Sequence, residues 1–150
     1  RRVKVIVIET MADDGANNLD VEGMADVFVY SGQVVPHDVV RCRVHPSVTA
    51  IPANVFMDCL KLEEIELCEG LLVIGERAFY NCTGLKRLVI PSTVTVVRES
   101  AFMKCSQLEE VELPEGLQTI ENGTFAYCQV LKRIKIPSTV TIIGNKACYE

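Results

Sequence analysis

Nowhere in the chain do about 18 apolar residues run together, the length a helix needs to cross a bilayer, so no membrane-spanning helix is expected. The most apolar stretch, Val3-Lys4-Val5-Ile6-Val7-Ile8, is far too short and reads as a strand. Basic charge is missing as a patch. Residues 1–43 carry five basic and seven acidic side chains and residues 44–150 carry ten and thirteen, giving a net charge of -5 and a pI near 5.1. Binders of nucleic acid or of anionic membranes concentrate Lys and Arg, so neither partner is expected. Zinc-type C-x₂-C spacing is absent, as is a Gly-rich loop to cradle phosphate. Only two histidines occur, His37 and His45, and no motif sets a Ser or Cys nucleophile beside either. No enzyme activity, metal or cofactor is expected. An initiator methionine and a secretory leader are also missing, which suits a fragment or a processed form.

What is present is a period. Phe56, Phe79, Phe102 and Phe125 stand 23 residues apart, and Cys59, Cys82, Cys105 and Cys128 keep the same step. A fixed period in the twenties marks a stacked solenoid. The coils are His45–Leu67, Cys68–Ile90, Pro91–Leu113 and Pro114–Ile136, with a partial fifth from Pro137. Each ends in an L-x-x-I-x-L phrase, such as Leu62-Glu-Glu-Ile65-Glu-Leu67 and Leu85-Lys-Arg-Leu88-Val-Ile90. Alternating apolar and polar residues there predict one short strand per coil with one buried face. In Val73–Cys82 the spacing of Ile74, Ala78, Phe79 and Cys82 predicts an inward face on about one helical or 3₁₀ turn, an irregular or short helical convex side. The expected class is therefore α/β, a solenoid with a parallel sheet. Each coil supplies roughly six inward side chains worth about 1.5–3 kcal/mol apiece on burial, realised mainly against the next coil, so single coils are not expected to fold alone.

Stepping back 23 from Leu62, Ile65 and Leu67 lands on Val39, Cys42 and Val44, which places a strand zero over 38–44. The position matching Phe56 is Gln33, so residues 1–37 depart from the repeat and read as an N-terminal cap, with 38–150 as repeats. The cap is expected to hold the strand Val3–Ile8, a polar turn over 13–18 and a hairpin-like segment at Val27–Tyr30. At the far end Cys148 takes the Phe position with no polar cap after it, and the natural chain is expected to continue.

The stretches Ile74-Gly-Glu-Arg-Ala-Phe-Tyr-Asn-Cys-Thr-Gly-Leu, Val97-Arg-Glu-Ser-Ala-Phe-Met-Lys-Cys-Ser-Gln-Leu and Ile120-Glu-Asn-Gly-Thr-Phe-Ala-Tyr-Cys-Gln-Val-Leu resemble the leucine-rich repeats of the BspA-like type. The resemblance covers about residues 38–148. Departures are Val55 and Thr124 where Ala is usual, Cys68 where Pro is usual, and Cys148 for Phe. Residues 38–47 and 66–71 are similar to expansions of such proteins in diatoms. The resemblance implies a right-handed, horseshoe-like solenoid used for protein interaction, with cell-surface adhesion proteins among its members, and it supplies no catalytic residue.

Charges on the exposed strand positions alternate. One column runs Arg41, Glu64, Arg87, Glu110, Arg133, and another Val40, Glu63, Lys86, Glu109, Lys132. Strands about 4.8 Å apart set each charge between opposite ones, a device for register more than for stability. The turns alternate Pro-Ser-Thr with Glu-Gly at the same two-coil period. A third column, Arg43, Glu66, Val89, Glu112 and Lys135, is the candidate partner-binding set, because Val89 sets an apolar group among carboxylates.

The cysteine column reads as small buried hydrophobes. Asp13–Asn18 offers oxygen ligands but places its glycine wrongly for an EF-hand. Two sequons, at Asn81 and Asn122, are glycosylation candidates in a secreted protein. The expected function is a monomeric, non-enzymatic protein-interaction module. The alternative is a cell-surface adhesion or recognition ectodomain.

Overall fold

The structure, a computed structural model, describes residues 27–149. Every coil carries two short strands rather than one. A first set consists of β1 (Val27–Tyr30), which lies outside the phrases, β2 (Arg41–Val44) at strand zero, and β4 (Glu64–Glu66), β6 (Arg87–Val89), β8 (Glu110–Glu112) and β10 (Arg133–Ile134), formed by the four L-x-x-I-x-L phrases. A second set is β3 (Ala50–Ile51), β5 (Val73–Ile74), β7 (Val96–Val97) and β9 (Thr119–Ile120), which alternate with β2 to β10, and β11 (Ile142–Ile143), which follows β10. All pairings are parallel, and from β2 onward each joins residues 23 apart, as in Arg41 with Glu64 and Val73 with Val96. The second set makes one five-stranded sheet, whereas the first divides into β1-β2-β4 and β6-β8-β10.

No helix occurs among the described residues, so the α/β class and the helical convex side give way to the irregular alternative. Hydrogen bonding supplies the reason. In residues 54–59 successive N–H groups point alternately within the coil and to the next one. Asn54, Phe56 and Asp58 donate to the carbonyls of Glu76, Ala78 and Tyr80 at 2.8–3.0 Å, while Met57 and Cys59 close turns onto Asn54 and Phe56. A helix would keep all these donors within one coil and leave the neighbour unbonded. The same pattern repeats from Arg77, Ser100 and Gly123. Two left-handed positions per coil make the alternation possible, at 54, 77, 100, 123 and 146 and at 58, 81, 104 and 127. Gly75 lets the coils meet, since a Cβ there would lie 2.6 Å from the Ile51 carbonyl oxygen.

Inside, the phenylalanines form one spine. Ring centroids of Phe56, Phe79, Phe102 and Phe125 are 4.8, 5.1 and 5.5 Å apart and their planes lie within 8° of parallel. Tyr30 closes the spine edge-on against Phe56 at 5.3 Å. It does so from a shortened coil, because β1 pairs with β2 only 14 residues ahead. That parallel pairing replaces the hairpin expected at Val27–Tyr30, and Tyr30 does what a strict 23-residue step assigned to Gln33. The strand at Val3–Ile8 and the turn over 13–18 lie outside the described residues.

All seven cysteines are free; Cys42, Cys59, Cys82, Cys105 and Cys128 are buried, Cys68 is half-buried and Cys148 is exposed. The thiols of Cys82, Cys105 and Cys128 donate to the carbonyls of Phe56, Phe79 and Phe102 on the preceding coil at 3.1, 3.2 and 3.3 Å.

Candidate interaction face

The first-set strands point Ile65, Leu88, Val111 and Ile134 inward and turn their neighbours to solvent. Register sets Arg43 beside Glu66 and Val89 beside Glu112. Arg43 Nε donates to Glu66 Oε2 at 2.6 Å. Other rungs are Arg41–Glu64 at 3.4 Å, Lys86–Glu63 at 3.3 Å and Lys132–Glu109 at 3.6 Å. All are exposed, so they set register and solubility more than stability.

Arg87 departs from the pattern. It shares a column with Glu64 but reaches forward, to Glu112 at 2.6 Å and Glu110 at 3.7 Å. Its guanidinium is held above its ordinary pKa mainly by the Glu112 hydrogen bond. Behind it the ladder is missing between β4 and β6. A cleft of about 570 Å³ opens there, with Glu66 and Val89 of the candidate set on its walls. Val89 is 49 % exposed. Arg43, Glu112 and Lys135 lie outside the cleft, so the five candidates share a face without forming one cluster. Sequence reasoning missed Ile65, Leu67, Glu69 and Pro91 as cleft residues. The departure of Cys68 from Pro, next to Leu67 and Glu69, marks the place in the sequence.

The turn alternation has a geometric cause. Glu69 accepts from Ser92 N–H at 3.1 Å and Oγ–H at 2.9 Å, and Ser138 Oγ donates to Glu115 at 3.3 Å. Hydrogen bonds from Ser92 hold the Glu69 carboxyl below its usual pKa. Each Glu-Gly turn is thus tied to the Ser-Thr turn after it.

Of the remaining candidates, Asn81 is half-buried and left-handed, and its Nδ2 donates to Asp58 Oδ1 at 2.7 Å. Asn122 is exposed and its Oδ1 accepts from Asn145 N–H at 2.8 Å. His45 Nδ1 lies 2.7 Å from Ser47 Oγ. Among the described residues no three His, Cys, Asp or Glu side chains converge as a metal site, and no helix is long and apolar enough to cross a membrane.

Residues 40–150 match the BspA type leucine rich repeat region in six copies. The chain belongs to this leucine-rich repeat family. A leucine-rich repeat protein from Bacteroides ovatus is similar at 36 % identity with TM-score 0.70, over 75 % of this chain and 29 % of its own. A T. pallidum leucine rich repeat protein is similar at 26 % identity and TM-score 0.57, over 79 % and 73 %. A leucine rich cell surface protein from Faecalibacterium prausnitzii is similar at 27 % identity and TM-score 0.51, over 71 % and 35 %. This leucine-rich repeat chain spans less than a third of the Bacteroides protein. No curated protein matches it.

Proposed function

We propose that this chain is a non-enzymatic protein-interaction module that engages its partner as a monomer through the exposed strand face. The observation that carries the reading is the exposed Val89 in a row of charged side chains on a family scaffold that generally binds proteins. Arg43, Glu66, Val89, Glu112 and Lys135 are the proposed contacts, with acidic groups flanking an apolar one. Residues 1–37 serve as a cap and 38–150 as repeats, a division supported by Tyr30 closing the aromatic spine. The likeness of residues 38–47 and 66–71 to diatom proteins belongs to the same reading.

The test is charge reversal. Glu66→Lys with Glu112→Lys is expected to leave the circular dichroism unchanged, to lower the thermal midpoint only slightly through the loss of two exposed ion pairs, and to cut recovery of the cellular partner at least tenfold. Undiminished recovery removes the face from the proposal. A second reading, a cell-surface adhesion or recognition ectodomain, draws on the Faecalibacterium surface protein. Glycans on Asn81 or Asn122 of the native protein would favour it. Thiols found free in the native protein would favour a reducing compartment instead.

A further inference from the structure

The exposed strand face is not uniform, and its one discontinuity among the described residues is the cleft between β4 and β6. Its apolar surface comes from Ile65, Leu67, Val89 and Pro91. Its charged lining is four glutamates against one lysine and one arginine. Both cations are already engaged. Lys86 sits 3.3 Å from Glu63, and Arg87 is turned to the carboxylates of the next coil. Glu69 has no cationic partner among the described residues. Instead it is oriented by two hydrogen bonds from Ser92, so its position is set before any ligand arrives. A preset carboxylate lining the same cleft as an exposed valine fits a ligand that carries one cationic and one apolar feature.

We propose that this cleft receives a segment of a partner protein in which an apolar side chain stands next to a lysine or arginine, the apolar group on Val89 and Leu67 and the cation on Glu69, since Glu66 is already paired with Arg43. The inference rests on the interaction-module reading and names the chemistry of its partner. β4 and β6 remain neighbours, so the cleft takes side chains and not an inserted strand.

The probes are three capped dipeptides, acetyl-Leu-Arg-amide, acetyl-Leu-Glu-amide and acetyl-Ser-Arg-amide, titrated into ¹⁵N-labelled protein. The expected result is saturable shifting of the Leu67, Glu69 and Val89 amides with Leu-Arg, and binding at least fivefold weaker with the other two. Glu69→Gln and Val89→Lys should each weaken Leu-Arg binding at least fivefold with the rest of the spectrum unchanged. Equal response to all three peptides, or shifts that avoid the cleft, overturns the proposal. The wider reading fails separately. If recovery of the cellular partner is lost on reversing Glu66 and Glu112 but survives Glu69→Gln, the face binds and the cleft does not.

Discussion

At the residue scale, the side chains that repeat most strictly are those whose shape the stack uses twice. Phe79 is covered on both faces, by Phe56 at 4.8 Å and Phe102 at 5.1 Å, and is fully buried. Phe79→Ala opens a cavity in the middle of the spine and is expected to cost about 3–5 kcal/mol. Urea unfolding followed by circular dichroism measures it, and a loss below about 1 kcal/mol would mean that the spine collapses around the gap. Cysteine fits its column because it is small and also donates to the preceding coil's carbonyl. Thr124 replaces Ala without leaving a buried hydroxyl unpaired, since its Oγ1 reaches the Glu121 carbonyl at 2.8 Å. These inward positions were legible from the 23-residue step alone. Tyr30 was not, because its coil is short and the step carries past it.

At the scale of elements, the turn segment carries the feature hardest to read. Left-handed backbone favours Gly, Asn and Asp, and Asn54, Gly123, Asp58 and Asn81 conform. Arg77, at φ 51°, does not. Its conformation costs roughly 1–2 kcal/mol, of which a glycine returns part after its own entropy loss. Arg77→Gly is expected to raise stability by about 0.5–1 kcal/mol, read as a higher urea midpoint at unchanged slope, and a lower midpoint would contradict that account. The second strand of each coil escaped sequence reading because two residues are too few to show alternation. The helical expectation failed because apolar spacings of three and four also fit a chain of turns whose alternate amides serve the next coil.

At the scale of the whole molecule, a column of buried thiols couples stability to alkaline pH. Burial pushes Cys42 and Cys128 up to about 12 and Cys59 to about 11, and it raises Cys82 and Cys105 as well. The fold keeps these groups protonated, whereas the unfolded chain releases their protons near pH 9. Above that pH the unfolded state holds fewer protons, so stability falls as pH rises. The contribution is fully present below pH 9 and is lost between there and the folded values. The thermal midpoint should hold steady from pH 7 to 8.5 and drop towards pH 10.5, with a smaller drop in Cys59→Ala. An equal drop in that variant would assign the effect to other groups. In the folded chain the buried cysteine column should react with a thiol reagent only after unfolding.

The amino-acid sequence by itself determined the coil length, the inward Phe and Cys columns, the alternating charge ladder and the family, because each is a local pattern repeated at one interval. It also named Val89 and Glu66 as part of a face. Only the tertiary structure decided that the sheet breaks between β4 and β6, that Arg87 leans forward to Glu112, and that Leu67 and Glu69 thereby line a cleft. A repeat specifies which residues are stacked. How closely two particular coils approach depends on side chains from both, and that information lies in no single coil.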